Sequence, residues 1–343
     1  MKKELTIYDI ANALNMSAST VSRALNENKA ININTRNKVM QYALENGYQS
    51  NTFAANLRQK ETHTIGIIVP KIDSKFVSTC LAGAEKVASE KGYNLLISQS
   101  LDELRREESI AKTFFRKRVD GLMVSLTANT TDTKHFAPFI AKGIPLVFFD
   151  RTPELTDSAC FIIDNYQAAY KASNHLLDQG CKCLIHLTLN SNNKVYWQRK
   201  KGFVQALHDA NKTNCGETLF LKNLDLDAGK QAAVLIAKKS PRPDGVFAAN
   251  DQTAVGCILA FQQMGIRVPD DIAVVGFNND LVCEIVSPGL TSVNYPAFDL
   301  GAMAANQLIE HILGNSNLNV TNQTVLKSDI IIRGSSLKIK KQP

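Results

Sequence analysis

Short, continuous apolar runs separated by longer amphipathic stretches constrain this chain more than any other feature. They fall at 65–69, 93–98, 121–125, 145–149 and 159–163, and then at 183–188, 218–221, 245–249 and 273–277. Runs this short and apolar on both faces predict strands buried in a parallel sheet. Helical periodicity between them predicts helices over, for example, 76–91, 165–179, 198–211, 228–239 and 253–264. Strand and helix alternating in this way predict two doubly wound α/β units in tandem. The halves also rhyme. Glu90-Lys91-Gly92-Tyr93 echoes Asp178-Gln179-Gly180-Cys181, and Val119-Asp120-Gly121 echoes Pro243-Asp244-Gly245. Two similar lobes should enclose a cleft, and ligands of such sheets bind beyond the carboxyl ends of the strands. A last helix over 296–313 and a last strand over 324–332 predict three crossings between the lobes. The tail from 337 has no heptad pattern that could assemble a tetramer.

The first sixty residues read differently. Ile7, Ile10, Ala11 and Leu14 recur at helical spacing, and Thr6 with Asp9 makes a capping box in front of them. Asn15-Met16 breaks the period, and Ser17 can cap a second helix with Val21, Ala24 and Leu25 inside. Ala18, Ser19, Ser22, Arg23 and Asn26 are then expected to point outward. Two short helices, a tight turn and a small, polar outer face predict a helix-turn-helix, whose second helix fits a DNA major groove. A third helix over 34–46, stopped by Gly47, should pack Val39, Ala43 and Leu44 on the other two and leave Arg36 and Lys38 for phosphates. The stretch 48–60, YQSNTFAANLRQK, predicts one short helix that needs a partner to be stable.

Charge agrees with this division. Up to residue 60 there are eight Lys and Arg against four Asp and Glu, so four of the chain's net charges of +7 lie in under a fifth of its 343 residues. A basic module ahead of a nearly neutral body is an electrostatic footprint for nucleic acid. The seven cysteines show no framework of spacings, which predicts reduced thiols in the cytoplasm. Cys181 and Cys183 lack a second ligand pair, so no metal site is expected. No stretch approaches the ~20 apolar residues of a membrane span, and MKKELTIYDI has no apolar core of a secretory signal. The chain carries no Gly-x-Gly-x-x-Gly, no phosphate loop and no nucleophile elbow. Its six histidines are scattered. No catalytic residue and no cofactor are expected.

The run Thr6 to Asn26, with its Thr20-Val21-Ser22-Arg23 centre, resembles the DNA-binding headpiece of the LacI/GalR family of bacterial transcriptional regulators, and the similarity extends over essentially the whole chain. The resemblance implies a headpiece at 1–48, a hinge helix at 49–61 and an effector-binding, dimerising domain at 62–343. Its first lobe would take 62–162 and 293–324, and its second 163–292 and 325–337. It further implies DNA contacts from Thr6, Ser17, Ala18, Ser19, Thr20, Ser22, Arg23, Asn26, Asn32, Thr35 and Tyr48. In the hinge, Asn51, Ala54, Leu57 and Arg58 join them, with Leu57 as the apolar wedge that kinks the minor groove. Effector contacts are implied for Lys75, Phe76, Ser125, Asp150, Arg199, Leu224, Asn250 and Asn278. The chain departs from the family at three positions. Ser50 stands where proline is common, Asn278 where aspartate is common, and Leu224 where sugar- and purine-binding relatives place a stacking aromatic. Ring stacking must then come from Phe76, from Trp197 or not at all.

The expected function is a cytoplasmic, homodimeric DNA-binding regulator, in sense a repressor. A sugar or other small polar metabolite between the lobes would control its operator affinity. Two alternatives come from other classes: a transporter's solute-binding protein, which would share the two-lobed body but is disfavoured by the missing signal and the basic headpiece, and a small-molecule enzyme on an α/β scaffold, disfavoured by the missing catalytic motifs.

Overall fold

The computed structural model describes residues 5–48, 61–154, 156–191, 193–320 and 323–338. The chain forms two compact units, Met1–Thr62 and His63–Pro343. The expected hinge helix, with Asn51, Ala54, Leu57 and Arg58, lies outside the described residues.

The smaller unit is built from α1 (Ile7–Leu14), α2 (Ala18–Leu25) and α3 (Ile33–Glu45). Thr6 and Asp9 cap α1 reciprocally, the Thr6 amide donating to Asp9 Oδ2 at 2.9 Å. Asn15 ends that helix at φ 53°, in the left-handed region that asparagine tolerates. Ser17 Oγ accepts from the Thr20 amide at 3.1 Å and starts α2. Ile10, Ala11, Val21, Ala24, Val39 and Ala43 form the core. Two expectations fail here. Leu44 is 84% exposed, because it sits one residue, or 100° of helix, beyond the inward-facing Ala43. Ala18 is half-buried against the core, since 18, 21 and 25 share one helical face.

The larger unit holds two six-stranded sheets. The first comprises β1 (Thr64–Val69), β2 (Asn94–Gln99), β3 (Gly121–Val124), β4 (Leu146–Phe149), β5 (Ala159–Ile163) and β11 (Gln323–Leu326), in the order β11-β5-β4-β3-β1-β2. The second comprises β6 (Leu184–Leu189), β7 (Gly216–Leu221), β8 (Gly245–Ala248), β9 (Ala273–Asn278), β10 (Thr291–Asn294) and β12 (Ile330–Ile331), in the order β12-β10-β9-β8-β6-β7. Every pairing is parallel except β10 with β12. The sequence predicts a single strand over 324–332. It is two, one in each sheet, because the polar turn Lys327-Ser328-Asp329 carries the chain across. β10 has no counterpart among the expected strands. Between β2 and β3 lies the amphipathic helix α5 (Leu104–Lys117), which buries Ala111 and Phe114.

The helices that matter for the cleft are α4 (Lys75–Glu90) in the first lobe, then α7 (Asn165–Asp178), α8 (Lys194–Asp209), α9 (Leu226–Ala237) and α10 (Asp251–Gln263) in the second. They number around a short α6 (Ala137–Ala141) in the first lobe. A short α11 (Val282–Ile285) follows β9, and α12 (Ala297–Ile312) returns to pack on α4. That packing is backbone to backbone. A Cβ on Gly83 would stand 2.0 Å from the Phe298 carbonyl oxygen, and one on Gly301 only 1.9 Å from that of Cys80.

Candidate functional site

The carboxyl ends of both sheets face one cavity of about 640 Å³ between the lobes. The loops after β1, β2 and β4 supply one wall, and those after β6, β7, β8 and β9 the other. Of the expected effector residues, Lys75, Phe76, Asp150, Arg199, Leu224, Asn250 and Asn278 line it. Ser125 does not. It is fully buried.

Arg199 lies one turn into α8 and is buried. Its Nε donates to Asn165 Oδ1 at 2.9 Å, and Nη1 to the Ala249 carbonyl at 2.6 Å. Its guanidinium carbon sits 3.5 Å from the centre of the Phe277 ring. Burial pulls its pKa down, opposed by Tyr196 and Asp150. Among the described residues Nη2 makes no hydrogen bond, so one face of the fork remains for a ligand. Asn165 opens α7 just after the first crossing between lobes, so Arg199 is tied to that crossing. The neighbouring lysines face away from the cavity. Lys200 Nζ lies 5.1 Å from the Phe220 ring, and Lys201 Nζ 3.6 Å from that of Trp197, which is itself 51% exposed.

Opposite stands Asp150, held at φ 56° directly after β4. It accepts from the Tyr295 hydroxyl at 3.1 Å. Burial raises its pKa, and the cations Arg151 and Arg199 work against that rise. Tyr295 belongs to the second crossing, and its ring packs 4.5 Å from that of Phe76. Asn250 caps α10 through the Thr253 amide at 3.0 Å and donates to the Leu224 carbonyl at 2.7 Å, so both ends of its amide hold the wall together. Asn278 ends β9 at φ 116°. The wall also carries Tyr196, Tyr295, Arg151 and Asp102, which the sequence does not single out, and Asp280. Arg151 follows Asp150 directly and donates to Asp102 at 2.6 Å. Tyr295 went unseen because β10 did.

In the smaller unit, Thr6, Ser19, Arg23, Asn26 and Lys38 are exposed, whereas Thr20, Ser22, Thr35 and Tyr48 are half-buried. Ser17 joins the hydroxyls of Ser19 and Thr20 at 2.9 and 2.8 Å. Asn32 caps α3 through the Asn34 amide. Arg36, expected to be free for phosphate, donates to the Glu27 carbonyl at 3.3 Å. Among the described residues no group of three or more His, Cys, Asp or Glu could hold a metal, and no helix is long and apolar enough to cross a membrane.

Residues 6–51 match the family described as bacterial regulatory proteins, lacI family, and residues 173–336 the one described as periplasmic binding protein-like domain. The NTD biosynthesis operon regulator NtdR of Bacillus subtilis is 31% identical over 331 residues, 96% of this chain and 99% of that protein. The HTH-type transcriptional repressor PurR of Vibrio vulnificus is 31% identical over 308 residues, covering 90% and 92%. The crystal structure of the lac repressor dimer bound to operator and the anti-inducer ONPF has a TM-score of 0.86 at 22% identity, over 98% of this chain and 100% of that one. At that identity the likeness concerns the fold.

Proposed function

Because the chain belongs to the lacI family of bacterial regulatory proteins, we propose that it is a cytoplasmic, homodimeric repressor whose operator affinity follows the occupancy of the cleft between its lobes. The role of the cleft is binding, without turnover. The reading rests above all on the anchoring of Arg199. Its Nε and Nη1 are tied to Asn165 at the first crossing and to Ala249 in the second lobe, while Asp150 across the cavity is tied to Tyr295 at the second crossing. A polar ligand that accepts from Nη2 and donates to Asp150 therefore pulls on both crossings at once. Changing the angle between the lobes biases a two-state element, which is how such a site can act at a distance. The operator would be read by Ser19, Ser22, Arg23 and Asn26 of the headpiece, with Leu57 as minor-groove wedge. Selecting bound fragments from random DNA and then screening small polar metabolites for release of the selected fragment tests this. Recovery of a two-fold symmetric site, released by a compound that also raises the melting temperature, is the expected result. Failure to enrich any sequence would sink the reading.

A further inference from the structure

One carboxylate on the cavity wall has no hydrogen-bond or ion-pair partner among the described residues. Asp280 follows β9 by two residues and lines the cavity. Its amide donates to Asp251 Oδ2 at 2.8 Å. Asp251 is fully buried, and its other oxygen accepts from Ser292 at 2.6 Å. The fold of the loop thus brings a second carboxyl group toward a buried one. The other acids of the wall are accounted for. Asp102 pairs with Arg151, Asp150 accepts from Tyr295, Asp225 caps α9 through the Ala228 amide, and Asp73 is exposed to water. Among the described residues the Asp280 side chain accepts no hydrogen bond and joins no ion pair. Lys75, the cation that acts on it, is exposed on the other lobe. Burial and the Asp251 charge push the Asp280 carboxyl up to about 6, against the pull of Lys75. Two carboxyl groups held this way are relieved by a proton or by a cation from the ligand.

We propose that Asp280 is the specificity-determining residue of the cleft and receives a protonated amine of the effector. Arg199 Nη2 and the Asp150 carboxylate, a donor and an acceptor, suit hydroxyl groups. The ligand class is therefore a small molecule carrying an ammonium group beside hydroxyls. This rests on the cleft being the effector site.

The test has two arms, both on the full chain. In the first, glucosamine, galactosamine and mannosamine are each compared with the parent hexose by thermal shift and calorimetry at pH 7.5. At least one amine should bind about tenfold more tightly than its hexose, as one added charge-assisted contact implies. Asp280→Asn should remove that difference. If the compounds that bind do so equally well as hexose and as amine in every pair, the proposal is overturned but the cleft remains the effector site. If none of the six compounds protects, the ligand class is wrong and the proposal falls. The second arm needs no ligand. The folded carboxyl titrates near 6, above the value of about 4 for an unfolded aspartate. Ionising it therefore costs stability as pH rises through that window. Asp280→Asn should melt higher than the parent at pH 7.5 and level with it near pH 4. The charges facing Asp280 are those of Asp251 and Lys75, with Cys283 beside Asp251. An unchanged melting profile shows that the charge is already satisfied and overturns the proposal independently of the sugars.

Discussion

Arg199 is held by two hydrogen bonds and a ring face before any ligand arrives, so its fork is already oriented for one. Truncating one partner of a buried, charge-assisted contact costs about 2–5 kcal/mol, or roughly 30- to several-thousand-fold in affinity. Arg199→Ala should weaken effector binding by that order, as read by calorimetry, and thermal protection should shrink with it. Lysine keeps the charge but loses the fork, so Arg199→Lys should recover only part of the loss. Lys200→Ala and Lys201→Ala should bind like the parent, because both lysines lie over outward-facing rings. Equal losses in all three variants would mean that charge near α8, and not the position of one guanidinium, governs binding. A second residue-scale test concerns the DNA. Leu57→Ala should lower the ratio of operator to random-DNA affinity, since a wedge helps only where the duplex kinks. An unchanged ratio makes Leu57 part of a plain linker.

Between elements, the contact that fixes the first lobe is the crossing of α4 and α12. With Gly83 and Gly301 each facing a backbone carbonyl, no side chain can retreat to make room. Gly83→Ala should therefore part the helices, at a cost of about 1–3 kcal/mol or more. A fall in urea midpoint with an unchanged m value would show this; an unchanged midpoint would mean that the helices move apart freely. What the sequence made legible at this scale follows its chemistry. Seven of the nine apolar runs were readable as strands because strands inside a parallel sheet are buried on both faces; the other two, β2 and β7, stand at the sheet edges and are only half-buried. The tenth, Thr291-Ser292-Val293-Asn294, was not. It is buried through hydrogen bonds of Thr291 to Arg333 and Ser336, and of Ser292 to Asp251. Apolar Val325, Leu326, Ile330 and Ile331 read as one strand, because nothing local says that two sheets will share them. In the cleft, Asp150, Asn250 and Asn278 could be picked out through the family resemblance, and each stands at a strand's carboxyl end. Asp280 and Tyr295 could not, since their roles come from Asp251 and Asp150, which are distant in sequence.

For the whole molecule, the uneven charge leads to the most direct test. Four of the seven net positive charges lie in the first sixty residues, within the compact unit Met1–Thr62. Phosphate contacts release counterions, so binding carried by that unit must weaken steeply with salt. With roughly 6–10 phosphate contacts in the complex, operator affinity should fall about 10³–10⁵-fold between 50 and 200 mM salt. Binding of a small ligand in the cleft involves few counterions and should change little over that range. A fragment beginning at His63 separates the two activities, because the larger unit contains both sheets and the entire cavity wall. It should keep thermal protection by the effector and lose retardation of the operator fragment. Reattaching residues 1–62 should restore the retardation together with its salt slope. A flat salt response in the full chain, or DNA binding retained by the fragment, would move the DNA-binding surface out of the headpiece and into the two-lobed body.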